Sequence, residues 1–175
     1  MTIRNLRTSA LSSREELADA LQALFVAELL AASSPLWLVT PWISDVAVID
    51  NRSGLFSGLV PDMPRRPLRL IEVLIHQLQR GGSVCVVCRP DQHNRRFVEQ
   101  LTIQTANTGL SNGLLCRYSG ELHEKGILTA NLLLSGSMNL TYNGLRRLEE
   151  SILITDDLDT VARARHSYED RWGPT

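Results

Sequence analysis

Residues 122–155, LHEKGILTANLLLSGSMNLTYNGLRRLEESILIT, alternate short apolar runs with residues that favour turns. Apolar runs bounded in this way are typical of buried strands. Ala130-Asn131 provides a turn after the first run, and Gly136-Ser137 ends the second. The pattern predicts three successive strands, at 122–129, 132–135 and 149–155.

Strand geometry brings polar side chains of this segment together. Because side chains on a strand alternate between its faces, His123 and Lys125 point the same way. The short second strand returns the chain, so that Ser137 and Asn139 lie beside the start of the first strand. Glu150 lies on the third strand. We predict that these residues form one site.

The predicted site has the chemistry needed to break a phosphodiester without a metal ion or another cofactor. The neutral imidazole of His123 would attack phosphorus, expel one alcohol and leave a phosphohistidine that water then resolves. Lys125 and Asn139, with Ser137, would hold the non-bridging oxygens and offset the charge that builds in the transition state.

Two neighbouring carboxylates compete for the role of orienting the nucleophile. Glu150 would bond the second ring nitrogen of His123 and so fix the tautomer of the ring. Glu149 is its rival, one residue away on the opposite face of the strand.

One group is missing from a single chain, because the departing alcohol must be protonated while His123 is engaged as nucleophile. The pattern His-x-Lys occurs once, and none of His76, His93 and His166 begins a second copy. A twofold homodimer supplies the acid economically, since symmetry places the partner's His123 opposite the first. We therefore predict a homodimer with a shared active site.

The segments HEKGILTA (123–130), LLLSGSMNLTYNGL (132–145) and RRLEESILI (146–154) resemble the histidine-lysine motif of the phospholipase D superfamily. The family pattern is histidine, any residue, lysine, four residues and aspartate, followed by a glycine-serine pair and an asparagine. The family aspartate falls on Ala130, and an asparagine that often precedes the later glutamate falls on Leu148. The resemblance implies that the loss at Ala130 is tolerated, since in small nuclease members that aspartate does not perform the chemistry.

The resemblance covers most of the chain. Family domains begin with a hydrophobic strand and a proline-aromatic corner, as in LWLVTPWISD (36–45), and end in a helix with a late tryptophan, as at Trp172. Single-motif members form homodimers, which agrees with the need for a second histidine to protonate the departing alcohol. More narrowly, TPWISDVAVIDN (40–51) and RPDQHNRRF (89–97) resemble the phospholipase-D-like component of bacterial clusters that insert 7-deazaguanine bases into DNA. That likeness implies other subunits of a DNA modification and restriction system as partners.

From Pro35 onward, strands and helices alternate in a manner typical of the α/β class. With the resemblance, this predicts one phospholipase-D-like domain over residues 1–175, a mixed central β-sheet flanked by helices on both faces. An amphipathic helix is expected at about 13–32. The segment at about 41–67 is expected to be irregular and to act as a substrate flap, a dimer contact or a packed loop. Further strands are predicted at 36–40, 84–88 and 114–118, and further helices at 68–80, 94–106 and 156–171.

The composition is that of a soluble globular protein, with 43% hydrophobic and 21% charged residues and a net charge of -1. Because the net charge is close to zero, any contact with nucleic acid must come from a local patch. The cysteine count of 3 is odd and favours free thiols in a reducing, cytoplasmic compartment. No apolar run suits a membrane anchor.

DNA is the favoured substrate, because arginines cluster and such side chains usually meet backbone phosphates. Arg146 and Arg147 are the predicted substrate-binding residues, and Arg89, Arg95 and Arg96 belong to the same cluster. No zinc finger, helix-turn-helix or stacking-aromatic module is visible.

Three functions stay open at this point. The first is a metal-independent phosphodiesterase that acts as a DNA endonuclease. The second is a catalytically silent nucleic-acid-binding or scaffold subunit, which the departures at Ala130 and Leu148 favour. The third is a lipid or small-molecule phosphodiesterase.

Overall fold

The structure, a computed structural model, describes residues 3–7, 11–58 and 63–174. The strands are β1 (Ile3–Arg7), β2 (Leu36–Val39), β3 (Ala47–Asp50), β4 (Pro67–Arg69), β5 (Val84–Cys88), β6 (Leu114–Tyr118), β7 (Gly126–Leu128), β8 (Leu133–Gly136) and β9 (Ser151–Thr155). The helices are α1 (Leu11–Leu30), α2 (Leu70–Gln79), α3 (Gln92–Asn107), α4 (Tyr142–Arg146) and α5 (Leu158–Trp172).

Seven strands form one mixed sheet in the order β1-β9-β8-β7-β2-β5-β6, and β3 pairs with β4 separately. Strands β2, β5 and β6 run parallel, whereas β7 is antiparallel to β2, and β8, β9 and β1 continue antiparallel. Buried side chains of α1, α2 and α3 pack on one face of this sheet, and those of α5 pack on the other. The prediction of a mixed sheet with helices on both faces is confirmed.

Most predicted elements form close to their expected bounds. The strands at 84–88 and 114–118 match β5 and β6. The first helix begins at Leu11 and ends at Leu30, in place of 13–32, before Pro35, which lacks the N–H that a helix needs. Its buried hydrophobic residues include Leu17, Leu21, Leu24, Phe25, Val26 and Leu29, and they pack into the core.

The expectation of irregular structure over 41–67 is wrong in part. This segment contains β3 and the first residue of β4, which pair antiparallel with an irregular register; its residues 59–62 lie outside the described ones. Strand β1 was not predicted either, because Leu6 is its only buried residue and its sequence has no apolar run. Strand β1 forms through its ladder with β9, a long-range contact that local pattern does not reveal.

One end of each of the seven strands lies at the same end of the sheet. Because β2, β5 and β6 are parallel, the residues that follow them lie at the same end, which we call the carboxyl end. Strands β7 and β9 begin at this end and β8 finishes there. The turn between β7 and β8, at Thr129 to Leu132, lies at the opposite end, which we call the turn end.

Candidate active site

His123 lies at the carboxyl end, just ahead of β7, with its side chain exposed to solvent. The predicted strand over 122–129 is shorter, since only Gly126–Leu128 has ladder partners. Arg89, the residue after β5, faces the imidazole: its Nη2 lies 3.3 Å from Nδ1 and 3.2 Å from Nε2 of His123. The Nε of Arg89 also donates to the carbonyl of Leu122, at 2.9 Å. A guanidinium therefore borders the proposed nucleophile, and its backbone bond holds it there.

Lys125 is half-buried and is the only lysine in the chain. Its Nζ donates to the backbone carbonyl of His123 at 2.8 Å, so the ammonium of Lys125 contacts the main chain of His123. Glu124, between them, forms an ion pair with Arg171 of α5 at 2.5 Å. That ion pair directs Glu124 towards the α5 face of the sheet. By strand alternation, His123 and Lys125 belong to the other face.

The glycine-serine pair closes the site beside Lys125. The N–H of Gly136 donates to the carbonyl of Lys125 at 3.3 Å. Gly136 has a φ of +151°, and a Cβ at this position would collide with the backbone carbonyl of Ser151. Only glycine lets the end of β8 approach β9 this closely.

Ser137 is held by contacts within the protein. Its hydroxyl donates to a carboxylate oxygen of Glu150 and accepts from the N–H of Ser151 at 2.9 Å. Glu150 is buried, at 7% exposure, whereas its rival Glu149 is exposed. Glu150 thus supports the glycine-serine turn. The ring of His123 contacts Arg89, and a hydrogen bond from His123 to Glu150 stays a prediction.

Asn139 is linked to the end of β2 through Thr40. The hydroxyl of Thr40, a residue 1% exposed, lies 3.3 Å from Asn139 Oδ1 and accepts from the N–H of Leu140 at 3.4 Å. The amide NH₂ of Asn139 carries two N–H donors, the kind of group that binds a phosphate oxygen. Thr40 directly follows Val39, which pairs with Gly126, so Asn139 lies at the same end of the sheet as Lys125.

Ala130, at the place of the family aspartate, lies at the turn end and not at the site. Its N–H donates to the hydroxyl of Ser33 at 2.7 Å, and its carbonyl accepts from Arg165 at 2.8 Å. The strand β7 separates Ala130 from His123 along the chain. A carboxylate at position 130 would therefore serve the turn and not the reacting phosphate.

The predicted substrate-binding arginines diverge. Arg147 stacks on the ring of Tyr142, with its guanidinium carbon 5.5 Å from the centroid. Arg146 lines a cleft of about 680 Å³ between α1 and β3, together with Asp50 and Arg52. In that cleft, hydrogen bonds from Arg52 lower the pKa of Asp50 to about 2, with a smaller contribution from Arg146. A common role in binding substrate stays a prediction for both arginines.

Sequence reasoning missed three residues that complete the carboxyl end. In the sequence, Arg89 is one member of an arginine cluster, and Trp42 is part of the proline-aromatic corner. Thr40 has no pattern that marks it. The available signal was topological: Thr40 and Arg89 each directly follow one of two parallel strands, and such strand ends meet at one edge. Within residues 3–7, 11–58 and 63–174, no group of three or more histidine, cysteine, aspartate or glutamate side chains is arranged to hold a metal ion.

Residues 57–172 match the family described as cardiolipin synthase, PLD-like domain. This match covers more than half of the chain, and the protein therefore belongs to this phospholipase-D-like family. No curated protein sequence matches the chain. The predicted superfamily is confirmed, and the matched region contains the whole segment from His123 to Glu150.

Solved structures of several proteins share the fold. Nuc, a phospholipase D family member from Salmonella typhimurium, is 17% identical with a TM-score of 0.59, covering 98% of this chain and 93% of its own. NucT from Helicobacter pylori is 14% identical with a TM-score of 0.60, covering 97% and 95%. TrmBL2, an archaeal chromatin protein described as showing a novel mode of DNA binding, is 13% identical with a TM-score of 0.55, covering 98% of this chain and 52% of its own. At these identities the likeness concerns the fold.

None of the helices that the structure describes is both long enough and apolar enough to cross a membrane.

Proposed function

We propose that this protein is a metal-independent phosphodiesterase that cleaves DNA internally, with His123 as the nucleophile. The observation that carries the proposal is the exposed imidazole between two cations at the carboxyl end: Arg89 faces the ring and Lys125 contacts its backbone. An exposed nucleophile flanked by positive charge is what an anionic diester needs for approach and reaction.

Arg89 contacts both ring nitrogens of His123 in the free protein, at 3.3 and 3.2 Å. A guanidinium has donors only, so Arg89 meets a ring nitrogen of His123 through that nitrogen's lone pair. That lone pair is the one that attacks phosphorus. Arg89 therefore acts as a positioning residue in the free protein, and an incoming phosphate oxygen takes its place as partner of the guanidinium.

In the first step, a nitrogen–phosphorus bond forms at His123 and the bond from phosphorus to the leaving oxygen breaks, with a proton passing to that oxygen. In the second step, water attacks the phosphohistidine, gives up a proton and releases the imidazole. Lys125 and the amide NH₂ of Asn139 stabilise the charge on the non-bridging oxygens in both steps. Ser137 and Glu150 hold the turn that positions Asn139.

The proton in each step comes from and returns to the partner's His123 in a twofold homodimer. A symmetric interface brings the same surface of both chains together, and an exposed His123 is available for that pairing.

Cleavage of supercoiled plasmid and of linear DNA in the presence of a chelator tests the activity. Wild type should relax the plasmid, whereas His123→Ala should not, because its nucleophile is gone. His166→Ala, which removes an exposed histidine of α5, is the matched control and should keep full activity. Equal cleavage by His123→Ala and wild type would refute the proposal.

The covalent intermediate can be trapped directly. Labelled DNA quenched with alkali during turnover should leave phosphate-linked label on the peptide that contains His123, since phosphohistidine survives alkali. Label on another residue, or cleavage without any trapped label, would contradict the mechanism.

The shared site predicts the behaviour of mixed dimers. After unfolding and refolding together, equal amounts of wild type and His123→Ala form about half heterodimers. Because each site needs both histidines, specific activity should fall to about a quarter of that of wild type, instead of to one half. A value of one half, or a fully active monomer in sedimentation, would show that one chain suffices.

A catalytically silent DNA-binding subunit is the second candidate, favoured by the fold shared with TrmBL2. DNA retention without cleavage in the plasmid assay would support it. A lipid phosphodiesterase is the third, favoured by the family description. Flotation with liposomes and release of headgroup from cardiolipin, without cleavage of DNA, would support a lipid phosphodiesterase over a nuclease.

The sequence resemblance to DpdK, the phospholipase-D-like component of the 7-deazaguanine clusters, supports a narrower proposal: the nuclease acts in a bacterial system that modifies DNA with 7-deazaguanine. In that setting the enzyme would cut DNA that lacks the modified base, with specificity supplied by partner subunits. Cleavage of unmodified but not modified plasmid, in the presence of those subunits, tests this context.

A further inference from the structure

The three tryptophans of the chain differ sharply in exposure. Trp37 is 1% exposed and Trp172 is 9% exposed, and both pack around Tyr168 in the core on the α5 face. Trp42 is 39% exposed and lies at the carboxyl end, in the corner that follows β2. An exposed tryptophan beside a candidate active site needs an explanation other than core packing.

Trp42 is connected to the nucleophile through one residue. The guanidinium of Arg89 lies over the Trp42 ring, 5.1 Å from its centroid, while its Nη2 contacts the ring of His123. No stacking-aromatic module is visible in the sequence, because Trp42 and Arg89 are far apart in the chain. They come together only in the folded protein. The indole, the guanidinium and the imidazole form a continuous row.

The backbone around Trp42 is fixed by several hydrogen bonds. The hydroxyl of Thr40 lies 3.0 Å from the carbonyl of Trp42, and the N–H of Ile43 donates to Asn94 at 2.9 Å. Ile43 also bridges to Leu140, one residue after Asn139. The ring is therefore presented by a rigid corner, which lowers the entropic cost of binding to it.

A second aromatic ring flanks the same corner. Tyr142, 58% exposed, lies two residues after Leu140, and Arg147 stacks on it at 5.5 Å. The bridge between Ile43 and Leu140 thus has an exposed ring with an arginine partner on each side. Aromatic rings that alternate with arginines are the arrangement with which proteins bind unpaired bases along a charged backbone.

We propose that this site takes single-stranded DNA, and that Trp42, backed by Arg89, stacks a base next to the scissile phosphate. The proposal rests on the proposed function and specifies its substrate. In a duplex, each base face is covered by the neighbouring base. An exposed indole therefore finds no free base face on which to stack. In a single strand a base face is free to stack while the adjoining phosphate meets Arg89 and Lys125.

Tryptophan fluorescence measures the stacking without requiring cleavage. Because Trp37 and Trp172 are buried, quenching by DNA reports chiefly on Trp42. His123→Ala protein should be quenched by a single-stranded oligonucleotide, and less by the matched duplex and by an abasic strand of equal length. Quenching should disappear in the double variant His123→Ala, Trp42→Phe. Equal quenching by the abasic strand would overturn the proposal, because that strand has phosphates but no bases.

Affinity and specificity give the second measurement. Trp42→Ala should weaken single-strand binding about 5- to 100-fold, the range expected for one stacked base, and should leave duplex binding within about twofold. Trp42→Phe keeps a ring and should recover part of the loss. Leu158→Ala removes another exposed apolar side chain, 75% exposed, and should bind like wild type.

The outcomes separate this inference from the proposed function. If Trp42→Ala weakens single-strand and duplex binding equally, or neither, the inference fails while His123-dependent cleavage stands. If DNA stacks on Trp42 but is not cleaved, the stacking inference is supported and the proposed nuclease activity is refuted. If Trp42→Ala dissociates the homodimer and DNA does not quench wild type, Trp42 is a contact between two copies and the inference fails.

Discussion

The two ends of β7 use polar groups in opposite ways. At the carboxyl end, His123 is exposed and its ring contacts the guanidinium of Arg89. At the turn end, Arg165 donates to the carbonyls of Thr129 and Ala130 at 2.9 and 2.8 Å, and Ser33 accepts from the N–H of Ala130. Both ends belong to one sequence motif, yet only the first keeps hydrogen-bonding capacity for a ligand.

Buried polar groups continue the network behind the turn end. Glu28, 5% exposed, accepts from the N–H and the hydroxyl of Ser33, both at 2.9 Å, and from Gln77 at 3.1 Å. Satisfied groups of this kind hold a fold in one arrangement, whereas unsatisfied, exposed ones are available for chemistry. The motif thus combines a half that carries the candidate active site with a structural half.

Lys125→Ala should have the largest effect and should act on catalysis alone. Loss of a cation at the transition state is expected to lower kcat/KM about 10²- to 10³-fold, with the free energy of unfolding within about 1 kcal/mol of wild type. Lys125→Arg keeps the charge but not the compact ammonium, so its kcat/KM should lie between those of wild type and Lys125→Ala. Parallel kinetic and urea-unfolding measurements would check this, and a large loss of stability would assign Lys125 to the structural half.

Glu28→Ala should have the opposite signature. Removing the carboxylate leaves the buried donors of Ser33 and Gln77 without their acceptor, which is expected to cost about 3 kcal/mol of unfolding free energy. The folded fraction should cleave DNA at the wild-type rate. Glu99→Ala, at an exposed position on α3, is the control and should unfold like wild type.

The stability of the turn end should also depend on pH. Burial raises the pKa of Glu28 from its ordinary value of 4.5, against smaller opposing effects from Ser33 and Gln77. A carboxyl with a raised pKa in the folded state contributes stability that is fully present below about pH 4.5 and is lost as the pH rises through the raised value. The free energy of unfolding of wild type, relative to Glu28→Gln, should therefore increase as the pH falls. A difference that is constant between about pH 4 and pH 8 would contradict this.

Ala130→Asp, which restores the family aspartate, should have the smallest effect. The new carboxylate would lie near Arg165 at the exposed turn, where an ion pair contributes about 0.5 kcal/mol or less. Because β7 separates this position from His123, cleavage should change by less than about twofold. A large gain in activity would show that the turn end reaches the chemistry after all.

Local pattern was sufficient for the elements whose residues are buried on both faces. Strand β5, with all its residues buried, stands out as an apolar run. Strands β1 and β3 were missed because their pairing partners, and not their own side chains, determine them. Within β5, Cys85 and Cys88 pack in different cores, on opposite faces of the sheet.

The amino-acid sequence by itself determined the α/β class, the family and the histidine-lysine segment, because strand periodicity and residue spacing are properties of neighbouring residues. Only the tertiary structure decided that Arg89 and Trp42 join His123, that Glu150 supports Ser137, and that Ala130 belongs to a different end of the sheet. These contacts depend on which strands lie side by side. That order results from long-range packing, which no local stretch of the chain encodes alone.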